Sequence, residues 1–112
     1  MGTKTRKELM PGTLDMLVLK ALLQGALHGY GIAQHLRTVS GEFLQVEEGS
    51  LYPALQRLEL NGDIHGEWTT TGNNRRARVY KLTAAGRKRL QAEVARYKQM
   101  TAAIDSVLGW AQ

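Results

Sequence analysis

The sequence contains no cysteine. This excludes a disulfide framework, a zinc site with thiolate ligands, an iron–sulfur cluster and a cysteine nucleophile. Long apolar runs are also absent: the longest uncharged one, Met16 to Leu19, is far shorter than the ~20 residues that a membrane span needs. Residues 1–11 contain basic side chains but no apolar core, so we do not expect a signal peptide. These absences predict a soluble, cytoplasmic protein with no membrane partner.

The sequence also lacks a recognisable catalytic or metal-binding pattern. The histidines, His28, His35 and His65, have no carboxylate spaced to complete a metal site. Gly29-Tyr30-Gly31 is too short for a phosphate-binding loop, and no Ser, His and Asp arrangement stands out. We therefore expect no enzyme activity, no cofactor and no metal. The 112 residues, 43% of them hydrophobic and 22% charged, are typical of one globular domain.

The net charge of +5 is concentrated in one part of the sequence. Residues 1–56 contain equal numbers of basic and acidic side chains, so the whole excess follows Gln56. Seven cations and no acid lie between Arg75 and Arg89. A charge run of this kind is often only a solvated face, but on a small domain it also indicates nucleic acid as a partner.

Three helices are predicted in the first half of the chain. Thr13 is a suitable N-cap for the first, which carries an apolar stripe from Leu14 to Leu22 and is stopped at Gln24-Gly25. The second follows the connection His28–Gly31. Ser50 is a suitable cap for the third, whose apolar stripe is Leu51, Leu55 and Leu58. Leu19 and Leu23 make the first stripe wider than a single core needs, which favours a contact with another subunit.

A β-hairpin and a long helix are predicted in the second half. Residues 64–71 alternate with period two, Gly72-Asn73-Asn74 is typical of a turn, and residues 75–82 form the return strand. Thr83 then caps a final helix of ~28 residues, longer than a domain of this size can cover. Its apolar side chains follow a heptad spacing, which predicts a homodimer seam: Leu90, Val94, Tyr97, Thr101, Ile104, Leu108 and Ala111.

The element order α-α-α-β-β-α predicts a winged helix-turn-helix: a mainly α fold with a small β-hairpin and a long C-terminal dimerisation helix. Its parts are a flexible basic lead-in (1–10), a DNA-binding domain (11–82) and a dimerisation helix (83–112). In this fold the third helix enters the major groove of double-stranded DNA, and the wing lies against the backbone or minor groove. The polar face of the third helix suits base and backbone contact: Ser50, Tyr52, Gln56 and Arg57.

Three runs of sequence resemble the PadR family of bacterial transcriptional regulators. These runs are LHGYGI (27–32), GSLYPALQRLELNGDI (49–64) and RRARVYKLTAAG (75–86). The length is similar to the short branch of that family, in which one C-terminal helix provides dimerisation. The resemblance implies a homodimeric repressor that leaves a palindromic operator when an effector binds.

The resemblance also implies roles for individual residues. In or beside the major groove it places Ser50, Tyr52, Pro53 and Arg57. Tyr30 is implied to touch the DNA backbone. The implied wing contacts are Arg75, Arg76, Arg78 and Lys81. Asn74, in the predicted turn of the hairpin, is a further candidate for DNA contact.

Some short members of that family bind planar cationic or aromatic drugs between their two final helices. Tyr97 occupies the corresponding position, with Met100 beside it, where that subgroup carries tryptophan; the tryptophan here, Trp110, comes near the chain end. Tyr97 is therefore expected either to line an effector site or to belong only to the seam. The alternative function is a small-molecule-sensing or protein-interaction module on the same dimer, with DNA binding weak or lost.

Overall fold

The computed structural model describes residues 12–109, which form four helices and three strands. In chain order these elements are α1 (Thr13–Ala21), β1 (Leu27–His28), α2 (Gly29–Val39), α3 (Glu48–Leu60), β2 (Ile64–Thr70), β3 (Arg76–Leu82) and α4 (Ala84–Leu108). The order confirms the α-α-α-β-β-α prediction and adds the short strand β1. The predicted lead-in and the last seam position, Ala111, lie outside the described residues. No helix within 12–109 is both long and apolar enough to cross a membrane.

Two of the three predicted helix caps are displaced in the structure. The N-cap of α1 is Gly12, at φ +86°, and Thr13 is already the first helical residue. The N-cap of α3 is Glu47, so Ser50 lies inside the helix. This earlier start puts Pro53 in the second turn, where its missing N–H leaves the carbonyl of Gly49 without its helical donor.

The three strands form one antiparallel sheet in the order β1-β3-β2. The β2–β3 register runs from Ile64 opposite Leu82 to Thr70 opposite Arg76. Asn74 adopts φ +63° in the turn between them, as the predicted turn composition allows. β1 pairs Leu27 with Tyr80, which attaches the start of α2 to the hairpin.

The core lies between α1, α2, α3 and the base of the hairpin. Its most deeply buried side chains are Val18, Leu19, Leu22, Ile32, Leu51, Leu55, Leu58 and Ile64. Leu19 is 0% exposed, and Leu90 of α4 is also buried in this core. The assignment of these two residues to a dimer interface is therefore wrong, because their side chains are already buried within one protomer. Leu23 and Val94 are partly buried and pack against the same core.

The start of α4 is fixed to the turn between α3 and β2. The Thr83 hydroxyl lies 2.7 Å from the Gly62 carbonyl oxygen and accepts from the Gly86 N–H at 3.0 Å, so the predicted cap is confirmed. Gly86 is buried, and a Cβ at this position would overlap the carbonyl oxygen of Asp63. Arg89 adds an ion pair of 2.8 Å to the Asp63 carboxylate. The hydrogen bond to Asp63 raises the pKa of Arg89.

The C-terminal half of α4 carries an exposed apolar stripe. The helix has 25 residues and is ~37 Å long. Beyond Val94 its apolar side chains recur every three or four residues and are mostly open to solvent: Tyr97, Met100, Ile104, Val107 and Leu108. Thr101, within the same stripe, is half-buried. The heptad therefore divides into a first part that packs on its own domain and a second part that does not.

Candidate nucleic-acid interface

α3 presents a polar face to solvent because the apolar side chains along its other side are directed inward, although Leu60 at its end is exposed. Leu51, Ala54, Leu55 and Leu58 are buried. The exposed side chains on the opposite side are Ser50, Tyr52, Pro53, Gln56 and Arg57. An exposed helix with amide, hydroxyl and guanidinium groups on one face has the donors and acceptors that base edges require.

Tyr52 also packs on the first residue of α2. A Cβ on Gly29 would lie 2.9 Å from the Tyr52 ring and from its hydroxyl oxygen, so a side chain there would displace the ring from this position. Tyr30, the next residue, is 72% exposed. The N-terminus of α2 lies at this place with its unpaired N–H groups, which favour an anion such as a phosphate.

The hairpin contributes the basic side chains. Arg75, Arg76 and Lys81 are exposed, and no ion pair within residues 12–109 includes them. Lys81 lies on the face of the hairpin opposite that of Arg76, because side chains alternate along β3. Asn74 is exposed in the turn.

Arg78 is the most constrained of the hairpin cations. Its guanidinium donates to the Glu59 carboxylate of α3 and lies 5.4 Å from the centre of the Trp68 ring. The neighbouring Tyr80 is buried, and this burial raises the pKa of its phenol. Arg78 therefore fixes the hairpin to α3 and keeps less of its charge for an outside ligand than Arg76 does.

An open cleft of about 830 Å³ lies between the hairpin and the starts of α2 and α3. Its lining includes aromatic and cationic side chains from all three elements: Tyr30, Tyr52, Trp68, Tyr80, Arg75 and Arg76. The structure thus brings together five predicted site residues that are up to 48 positions apart: Tyr30, Tyr52, Arg75, Arg76 and Arg78. Cations beside aromatic faces and a helix N-terminus are the groups that bind a nucleic-acid backbone.

Arg57 stands apart from this cleft. Its Nη2 lies 2.8 Å from Oδ1 of Asp15, although the Arg57 side chain is 57% exposed. Asp15 is buried and faces Arg89 as well. Within the run of seven cations, Arg78 and Arg89 also form ion pairs, with the carboxylates of Glu59 and Asp63. The positive charge that this run exposes is therefore smaller than the number of its basic residues suggests.

Three residues of this region were not predicted to have a role there. The sequence pattern predicts only a strand position for Trp68 and no role for Glu59 or Asp63. The period-two alternation was the signal for Trp68, since it places the ring on the same face as the arginines of β3. The partners of Glu59 and Asp63 are 19 and 26 residues away, a distance at which local spacing carries no information.

Comparison with known proteins places the chain among bacterial regulators. Residues 18–92 match the model of a family described as the Transcriptional regulator PadR-like family. Transcriptional regulator Rv3488 of Mycobacterium tuberculosis is 32% identical over 75% of this chain and 75% of that protein. A transcriptional regulator from Clostridium thermocellum has the same fold with a TM-score of 0.79, at 27% identity, over 85% of this chain and 92% of that one.

A third relative is the Negative transcriptional regulator PadR of Bacillus subtilis. It is 28% identical over 76% of this chain, which spans only 47% of that longer protein. The crystal structure of B. subtilis PadR in complex with operator DNA superposes with a TM-score of 0.68 at 24% identity, over 85% of this chain and 60% of that one. At this identity the superposition shows a shared fold.

Proposed function

Because the chain belongs to the PadR-like family of transcriptional regulators, we propose that it is a homodimeric repressor that binds a palindromic operator. Double-stranded DNA and a second copy of the chain are its partners, and the cytoplasm is its place of action. The observation that carries the proposal is the exposed polar face of α3 beside a basic hairpin, with an aromatic and cationic cleft between them. B. subtilis PadR, by its description a negative regulator, has this fold and was crystallised with operator DNA.

We propose that α3 contacts bases and that the hairpin contacts phosphates, because the exposed groups of these two surfaces differ. α3 enters the major groove, where Gln56 can pair with an adenine edge and Ser50, Tyr52 and Pro53 contact bases or the nearby backbone. Arg57 stays partly bound to Asp15 and contacts DNA at the edge of this surface. Phosphate contacts come from the start of α2 and from the hairpin. The residues that we propose for them are Tyr30, Asn74, Arg75, Arg76, Arg78 and Lys81.

A homodimer explains the exposed stripe on α4. An apolar stripe with three- and four-residue spacing along half a long helix is the surface by which two such helices pair. The residues that pair are Tyr97, Met100, Thr101, Ile104, Val107 and Leu108, with Leu23 and Val94 at the edge of the domain. Two copies then place their α3 helices in successive major grooves, ~34 Å apart.

An effector would act at the same dimer. Tyr97 and Met100 are exposed within the stripe, and between two copies they offer an aromatic ring and a flexible thioether to a planar ligand. Binding there changes how the two α4 helices cross and hence the spacing of the two α3 helices, which releases the operator.

Titration with mixed-sequence duplex DNA at two salt concentrations tests the proposal. We expect binding that weakens steeply between 50 and 200 mM salt, by about 10³-fold if about six phosphates are contacted. Footprinting on the DNA upstream of the protein's own gene then identifies the operator, as two half-sites one helical turn apart. Binding that does not respond to salt, or a footprint without two-fold symmetry, contradicts the proposal.

A further inference from the structure

Two arginine side chains lie beside the indole ring of Trp68. The guanidinium carbon of Arg76 lies 4.7 Å from the ring centroid, and that of Arg78 lies 5.4 Å from it. Both distances are inside the ~6 Å range of cation–π attraction. Trp68 is itself 57% exposed, so core packing does not account for the bulkiest amino acid at this position.

The register of the hairpin creates this arrangement. Trp68 of β2 lies directly opposite Arg78 of β3, and Arg76 lies diagonally across, so all three side chains share one face. Gly66, two residues earlier on the same face, leaves space for Arg78: a Cβ there would be 2.9 Å from Arg78 Nε. Gly66 therefore gives the Arg78 guanidinium room beside the indole.

The two arginines differ in what else restrains them. Arg78 donates to the Glu59 carboxylate and is 70% shielded from solvent, since its side chain is 30% exposed. Arg76 is exposed and has no carboxylate partner within residues 12–109. The indole ring is therefore the group that restrains the Arg76 side chain.

We infer that Trp68 is a positioning residue, whose indole face holds the Arg76 guanidinium beside the cleft for contact with a DNA phosphate. Glu59 and Arg78 fix the ring from the α3 side. The inference rests on the proposed function. Stacking occupies the face of the guanidinium and leaves its N–H groups free at the edge, where a phosphate accepts two hydrogen bonds. An arginine already held in this way loses less side-chain freedom when it binds.

Salt titration of single and double variants on mixed-sequence duplex DNA tests this role. We expect Trp68→Leu to weaken binding about two- to fivefold with little change in the slope of log K against log salt, because Arg76 keeps its charge. Arg76→Ala lowers the slope by about one unit. The double variant binds as Arg76→Ala does, and Trp68→Phe restores part of the loss. Thr69→Leu, on the opposite face of β2, is the matched control and binds like the unmodified chain.

A measurement without DNA examines the stacking itself. Side-chain protons of Arg76 over the indole face resonate upfield, and in Trp68→Leu they return to the positions of an unstacked arginine. Thermal unfolding of Trp68→Leu is expected to match that of Thr69→Leu, because both positions are exposed. The loss of affinity is then not a loss of folded protein.

Three results overturn the inference: unchanged binding of Trp68→Leu, further weakening when Trp68→Leu is added to Arg76→Ala, or unshifted Arg76 protons in the unmodified chain. The second result means that the ring contacts DNA itself. Failure of the unmodified chain to bind mixed-sequence DNA is a separate outcome, which contradicts the proposed function and this inference together.

Discussion

Arg57 Nη2 lies 2.8 Å from Asp15 Oδ1, which joins the exposed face of α3 to α1. The second oxygen of the same carboxylate is 3.5 Å from Arg89 Nη2 on α4. Asp15 has a 10% exposed side chain and so cannot recover its charge interactions from water. One buried carboxylate therefore connects the helix proposed to read DNA with the helix proposed to dimerise.

The first prediction concerns this carboxylate. Asp15→Asn keeps the shape but removes the charge, which leaves Arg57 and Arg89 without it. We expect the free energy of unfolding to fall by about 2–3 kcal/mol, below the range for a fully buried pair because Arg57 is more than half exposed. Urea denaturation at one fixed protein concentration measures this change.

Arg96→Gln is the control for that experiment. It also breaks an ion pair, to Glu93, but the Arg96 side chain is 67% exposed, so the cost is expected to stay below about 0.5 kcal/mol. Equal losses of unfolding free energy in the two variants would show that the burial of Asp15 does not strengthen its ion pairs.

The second prediction compares two glycines, Gly86 and Gly49. Gly86→Ala places a methyl group against the Asp63 carbonyl and forces α4 away from the turn before β2, at a cost of at least about 2 kcal/mol. Gly49, in the first turn of α3, has open space around its Cβ position, so Gly49→Ala stabilises by about 0.5–1 kcal/mol. Thermal unfolding compares them, and a shift of the same sign in both contradicts the prediction.

The third prediction concerns the stripe on α4. Ile104→Glu introduces a charge into the proposed seam and is expected to raise the dimer dissociation constant at least about 30-fold. Ser106→Glu adds the same charge on the opposite side of the helix and leaves association unchanged. Sedimentation over a range of protein concentrations measures both, and an unmodified chain that stays monomeric would exclude the seam altogether.

The fourth prediction separates base reading from phosphate contact. Gln56→Ala is expected to weaken binding to the operator by about tenfold and to leave binding to mixed-sequence DNA unchanged, because one bidentate base contact is lost. Arg76→Ala weakens both by similar factors. Gln99→Ala, on α4, serves as the control for amide removal. Selection from a random DNA pool records the preference, and an unaltered preference in Gln56→Ala contradicts its role.

The parts of the fold that the sequence predicts are those with local repetition. The helices, the limits of the hairpin to within one residue and the Thr83 cap follow from spacing and short-range hydrogen bonding. β1 has only two residues and hence no period. It is a strand because β3 lies beside it, which is a consequence of folding.

The candidate site divides in the same way. The exposed face of α3 follows from the position of its leucines, and Arg75 and Arg76 from the charge run. The bonds of Arg78 to Glu59 and of Arg57 to Asp15 join residues 19 and 42 positions apart, so the sequence could count these charges but not pair them. The burial of Leu19 has the same origin, because only the packed structure shows that its side chain is covered within one domain while Leu23 is only partly buried.

Thr83 has a consequence for how this surface can vary. Its hydroxyl and N–H close the base of the hairpin onto Gly62 and Asp63, at the end farthest from the turn at residues 71–75. Insertions at that turn lengthen the wing without disturbing the register at its base. A longer wing of this kind extends the surface that we propose to contact DNA phosphates, and it leaves the core and α4 unchanged.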